Sequence, residues 1–186
     1  MYIARQTFRG LALAGCLTLA FTLPAFAAGE ESDETKPPPK TETTTKCADG
    51  KIWDKKRKEC VTPKKHSFND DDLYKAAREF AYAGQYDNAL KVLDLAENQN
   101  DPRILNYLGY ANRKAGRMEL GMSYYRKALQ ADENYILARS YMGQALVEQG
   151  DVQAARVQLV EIRDRGGEQT WAYRSLLQSL NGYRTY

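Results

Sequence analysis

Histidine is almost missing from this chain: His66 is the single imidazole in 186 residues. It sits in "PKKHSF", a polar stretch that reads as an exposed link, so neither a histidine-rich metal centre nor a histidine-activated nucleophile has its parts. Cysteine is scarce as well, with Cys16, Cys47 and Cys60 making up the whole complement. The sequence holds no Gly-rich phosphate loop, no HExxH and no Gly-x-Ser-x-Gly. An excess of one charge is also lacking. Lys and Arg number 27 against 24 Asp and Glu, which leaves nucleic acid without the basic surface it requires. After Ala28 there is no apolar run near the roughly twenty residues that a spanning helix needs. The acidic triplet Asp70, Asp71, Asp72 suits the first turn of a helix, where carboxylates complement the dipole, better than a cation site. These absences remove the usual enzyme classes, and no cofactor or metal is expected. Binding is the class of activity left.

What is present begins with a tripartite leader. "MYIARQTFRG" carries Arg5 and Arg9, "LALAGCLTLAFTL" is apolar, and "PAFA" places small residues at Ala25 and Ala27, the order of a secretory signal peptide. Residues 1–27 are expected to be removed by cleavage after Ala27, giving a periplasmic or secreted chain. An alternative starts from "LAGC", which resembles a bacterial lipobox. It makes Cys16 a lipidated first residue and anchors the protein to a membrane, although the apolar run before Cys16 is only five residues.

Residues 28–46 contain three consecutive prolines, mixed charge and almost no apolar side chains, and are expected to form a disordered tether. Residues 47–61, "CADGKIWDKKRKECV", then combine an Asp49-Gly50 turn signal with a short extended piece between two cysteines. In an exported chain, the even pair Cys47 and Cys60 predicts a disulfide. The small hairpin so stapled is the favoured reading, with roughly 3 kcal/mol or less from loop closure. Gly50, Trp53 and Asp54 between the cysteines resemble the last cysteine pair of peritrophin-type chitin-binding modules. The other cysteines of such a module are missing here. That resemblance implies, as an alternative function, a cell-wall glycan held against Trp53.

Beyond a link at 62–69, the period becomes helical. "GQYDNALKVLDLA", "GRMELGMSYYRKA" and "GDVQAARVQLVEI" begin at Gly84, Gly116 and Gly150, spaced by 32 and 34 positions. Each has a small residue at offset five (Ala89, Gly121, Ala155) and a large apolar one at offset nine (Leu93, Tyr125, Leu159). Seven residues before each turn glycine stands another small residue: Ala77, Gly109 and Gly143. Small side chains at the closest approach of two helices leave room for large neighbours, so Gly109, Gly143, Ala89 and Ala155 are expected to accommodate Leu93, Tyr125 and Leu159. The pattern resembles the tetratricopeptide repeat, a helix-turn-helix unit of 34 residues. Arg139, Asn112 and Ile162 depart from it.

The resemblance implies an all-α fold: an alpha-solenoid of about three such hairpins over residues 70–167, closed by a capping helix and tail at 168–186 in which Trp171 packs. It also implies that the first helix of each hairpin lines a concave groove. That places Tyr74, Arg78 and Tyr82 of the first copy, Asn106, Tyr110, Arg113 and Lys114 of the second, and Ser140, Gln144 and Glu148 of the third along a protein or peptide partner. Tyrosine and arginine suit such a surface, with large contact area and polar tips; packing of these tyrosines between hairpins is the rival explanation. The carboxylate clamp of some family members is missing here except for Arg78.

Overall fold

The computed structural model describes residues 36–64 and 67–182. The expected signal peptide, with Cys16, Ala25 and Ala27, and the histidine at 66 lie outside the described residues. A helical turn, α1 (Glu42–Thr45), precedes two short strands, β1 (Ile52–Asp54) and β2 (Glu59–Val61). Seven helices come after them: α2 (Asp70–Tyr82), α3 (Tyr86–Leu93), α4 (Pro102–Lys114), α5 (Met118–Ala131), α6 (Ile136–Glu148), α7 (Val152–Asp164) and α8 (Trp171–Leu180). The described chain is thus mostly helical, and none of its helices is long and apolar enough to cross a membrane.

Local chemistry starts and stops these helices. Asn69 caps α2 by accepting the Asp72 N–H, and Asp101 caps α4 by accepting the Arg103 N–H ahead of Pro102 in the first turn. Gly84, Gly116 and Gly150 end α2, α4 and α6 with φ of +77°, +83° and +84°, a left-handed conformation in which a side chain is strained. The N–H of the residue after each glycine returns to the carbonyl five positions back: Gln85 to Phe80, Arg117 to Asn112 and Asp151 to Leu146, each at 2.9 Å. The three turns are one Schellman motif made three times.

Helices pack in sequence order, with α2 on α3, α4 on α5 and α6 on α7, and α8 lies across α6 and α7. Leu73, Phe80, Leu93, Ile104, Tyr125 and Leu137 are buried in the interior they share. Two glycines set the closest approaches. A Cβ at Gly109 would stand 2.7 Å from the Tyr125 ring, so α4 and α5 meet as the spacing predicts. The outcome differs at Gly143, where the space is filled not by Leu159 of α7 but by Leu176 of α8, 2.6 Å from a Cβ. The capping helix therefore packs on α6 at the small residue itself. Arg139, which breaks the pattern, bridges α6 to its surroundings: its Nη2 donates to the Glu133 carbonyl at 2.8 Å, and its Nη1 donates to Gln158 of α7 at 3.3 Å and pairs with Glu161 at 3.4 Å.

The acidic triplet does more than favour a helix start. Asp70 accepts the backbone N–H groups of Glu97 and Asn98, both at 2.8 Å, tying the loop after α3 to the beginning of α2. Asp71 pairs with Lys75 on its own helix and with Arg103 of α4 at 3.1 Å. The hydrogen bond from Lys75 and the nearby Arg103 hold the Asp71 carboxyl below its ordinary value.

Cys47 and Cys60 are joined in a disulfide, and β1 pairs with β2 so that Trp53 stands opposite Cys60. This hairpin is part of the main body. Ile52 is buried in the same core as α2 and α3, and a Cβ at Gly50 would meet Asn88 of α3 at 2.9 Å. The composition of residues 28–46 predicts disorder throughout, yet residues 41–46 make a helical turn seated on α2. The physical reason is hydrogen bonding to Glu79 rather than apolar burial.

Candidate functional site

The residues predicted to line a groove come from α2, α4 and α6, and the structure brings three of them, Tyr74, Tyr82 and Tyr110, into a seam of rings. Tyr82 stacks on Tyr110 with centroids 5.7 Å apart, and Tyr110 lies 4.9 Å from Tyr141. Tyr74 meets Tyr107 edge-on at 5.6 Å, Tyr107 continues to Tyr141, and Tyr141 meets Trp171 of α8 at 6.5 Å. Edge-on and offset ring pairs of this kind hold helices together beyond simple area burial. Sequence reasoning missed Tyr107 and Tyr141 as members. Their signal was present, since positions 74, 107 and 141 are spaced by 33 and 34 residues.

Burial separates the predicted residues. Tyr74, Arg78, Asn106, Tyr110, Arg113, Ser140 and Gln144 are buried, Tyr82 and Lys114 are half-buried, and Glu148 is exposed. Gln144 works between helices, donating to Ser140 Oγ at 3.3 Å and to Ser175 Oγ of α8 at 3.1 Å. Arg113 reaches across to Glu148 of α6 at 3.1 Å, with its guanidinium 5.6 Å from the Tyr110 ring centre. Asn106 is fully buried, and neither its amide nitrogen nor its oxygen meets a hydrogen-bond partner among the described residues. Leaving such a group unsatisfied costs about 1 to 3 kcal/mol.

The hydroxyls of the seam resist ionisation. Burial pushes Tyr82, Tyr110 and Tyr141 well above the ordinary tyrosine value, and Tyr125 is pushed up to about 12 by burial, with Arg113 working the other way. Arg78 behaves differently. Burial opposes its charge, but the hydroxyls of Tyr107 and Tyr74 hold the guanidinium above its ordinary value.

Arg78 is also where the chain meets itself. Its Nε donates to the Tyr107 hydroxyl at 3.2 Å, and its Nη2 donates to the backbone carbonyl of Lys36. Next to it on α2, the buried carboxylate of Glu79 is grasped by α1. Thr41 donates its N–H and its hydroxyl, both at 2.6 Å, and Thr44 donates its N–H at 3.2 Å together with its hydroxyl. A carboxylate facing the first turn of a helix and accepting hydroxyls as well is a charge-assisted arrangement. It supplies the ordering free energy that apolar residues do not. Neither Glu79 nor the two threonines stood out in the sequence, because counting apolar side chains is blind to a buried acceptor.

Trp53 is half-buried on β1, with Lys46 Nζ 5.0 Å from its ring centre and its backbone N–H donated to Thr43 Oγ1 at 3.2 Å. It stands apart from the tyrosine seam. A cleft of about 540 Å³ opens at a third place, lined by Gln99, Leu105, Leu108, Tyr124 and Lys127, none of which the sequence suggested as a binding residue. No family model matches this chain, and no curated protein matches it either.

Proposed function

We propose that this chain is an exported interaction module of the tetratricopeptide-repeat kind, an alpha-solenoid of three hairpins closed by α8, which binds an extended protein segment along α2, α4 and α6. The recurring turn and the close approach at Gly109 support the repeat reading. The observation that carries the binding reading is the bond from Arg78 to the Lys36 carbonyl, in which a residue of the predicted groove holds main chain that runs past the helix. An arginine that gathers a tyrosine hydroxyl and a peptide carbonyl recognises backbone rather than a particular side chain. Half-buried Tyr82, itself part of the seam, and half-buried Lys114 leave contact area for a partner. Periplasmic or secreted placement accords with the leader, and the mass of the mature N-terminus tests it directly.

The binding experiment is selection of a displayed random-peptide library on the full mature chain, followed by titration of the selected peptides against Arg78→Ala and Lys114→Ala. Each substitution is expected to weaken binding about tenfold, a change worth roughly 1.4 kcal/mol. Selected peptides that bind both variants as well as the parent, or a selection that enriches nothing, would overturn the groove reading.

A further inference from the structure

The contact between Arg78 and the Lys36 carbonyl has a regulatory reading, which rests on the peptide-binding function proposed for the groove. We propose that residues 36–46 form an intrachain strap that occupies the Arg78 end of the groove and must lift for an external segment to bind there. Arg78 is 8% exposed, and its guanidinium is engaged with Tyr107 and the strap. A peptide carbonyl arriving from another chain meets Arg78 with the Lys36 carbonyl already in place. It must displace its own kind.

The strap is built to leave. Pro37, Pro39, Lys40, Thr45 and Lys46 are exposed, and Thr43 is the one buried side chain of the segment. The hold on α2 is therefore polar and local, resting on the four bonds that Thr41 and Thr44 donate to Glu79 together with the one from Arg78 to the Lys36 carbonyl. A segment attached by a few hydrogen bonds and little apolar area opens at a small fraction of the global unfolding free energy. The hairpin after the strap stays put. The disulfide from Cys47 to Cys60, the burial of Ile52 and the seat of Gly50 against Asn88 keep the base of the strap fixed beside α2 and α3. A lifted strap consequently remains at high effective concentration and returns when the groove empties.

Latch and site are neighbouring but separate side chains. Glu79 takes the threonines while Arg78 takes the carbonyl, so the strap can be freed without altering the groove. The test uses the full chain carrying Thr41→Ala and Thr44→Ala, which remove the two hydroxyl bonds and leave the two N–H bonds, with Glu79 and Arg78 intact. The first probe is a fluorescein-labelled copy of the strap, KPPPKTETTTK, added in trans and monitored by anisotropy. It is expected to bind the double variant at least tenfold more tightly than the parent, whose own strap fills the place. Adding Arg78→Ala to the double variant is expected to weaken that binding about tenfold. The second probe is any peptide from the random library, expected to show the same tenfold preference for the double variant.

Equal binding of the strap copy to both chains, or none to either, overturns the strap. Library peptides that bind parent and variant equally also overturn it, while leaving the groove reading in place. If the strap copy binds the variant but no library peptide binds either chain, the groove reading falls and the strap is a structural cap. Hydrogen exchange guards against misfolding: the amides at positions 41 and 44 should lose protection in the variant while those of α4 to α7 keep theirs.

Discussion

Tyr82 and Tyr141 share a hydrogen bond of 2.7 Å between their hydroxyls, although 59 residues separate them. One belongs to α2 and the other to α6, so the bond passes over the intervening helix, whose Tyr110 ring touches both. Tyr82→Phe removes a partner from a hydroxyl in fully buried surroundings and should cost about 1 to 3 kcal/mol. In urea unfolding, the pair Tyr82→Phe with Tyr141→Phe should lose clearly less than the two single losses added together. Strict additivity would mean that the two hydroxyls do not depend on each other.

Gly109 and Gly143 are both packed too closely for a methyl group, yet they should respond differently. At Gly109 the obstacles are the Tyr125 ring at 2.7 Å and the Gly121 backbone oxygen at 3.1 Å; at Gly143 they are the branched end of Leu176. Gly109→Ala should destabilise by about 1 to 3 kcal/mol, because neither a wedged ring nor main chain can give way. Gly143→Ala should cost less, since Leu176 can change rotamer and alanine favours the helix by about 1 kcal/mol. Unfolding midpoints in urea at constant slope decide the order.

Asn106 offers a test that separates folding from binding. Its buried amide lacks partners among the described residues, so Asn106→Leu, which exchanges polar atoms for apolar ones, should leave stability unchanged or raise it by up to about 2 kcal/mol. If Asn106 serves a bound segment, the same variant should lose affinity for library peptides while gaining thermal stability. A marked loss of stability would show that the amide is satisfied in solution.

High pH should dissolve the seam. Tyr125 has a folded value of about 12 against an ordinary 10.0, so the unfolded chain gives up its proton first. The stabilisation is complete below about pH 10 and disappears between about pH 10 and pH 12, at roughly 3 kcal/mol for this residue alone. Burial raises Tyr82, Tyr110 and Tyr141 as well, and they act in the same direction. Helical circular dichroism and tyrosinate absorbance recorded together should change in a single cooperative step within that window. Tyrosines that titrate gradually with the helices intact would contradict their burial.

The helical layout was legible because its determinants are local. A turn glycine, a small residue five positions on and a capping Asp or Asn each act within a few residues, and spacing reveals them. The partner of Gly143 was not legible, since Leu176 comes from a helix outside the period and nothing at 143 points to it. The tyrosines posed a different difficulty. Their spacing places Tyr74, Tyr107 and Tyr141 at matching positions, but the same ring serves a groove or an interface equally well, and only the ring contacts show the packing. Residues 41–46 escaped for a third reason. Threonine and lysine are expected to stay solvated, and only the tertiary fold puts the Glu79 carboxylate where Thr41 and Thr44 can use it.

The disulfide hairpin stands early in the chain but depends on residues that come later. Ile52 needs the interior formed with α2 and α3, and Thr41 needs an acceptor 38 positions further on. Synthesis therefore delivers both thiols well before the surface that positions them, and the helical pairs downstream can assemble from contacts near in sequence without waiting for either. Cys47 and Cys60 have only each other to pair with among the described residues, so what an early-closed loop lacks is its seat and not its partner. Docking of the hairpin on α2 and α3, and not the choice of a thiol partner, is thus the step that must wait for the helices.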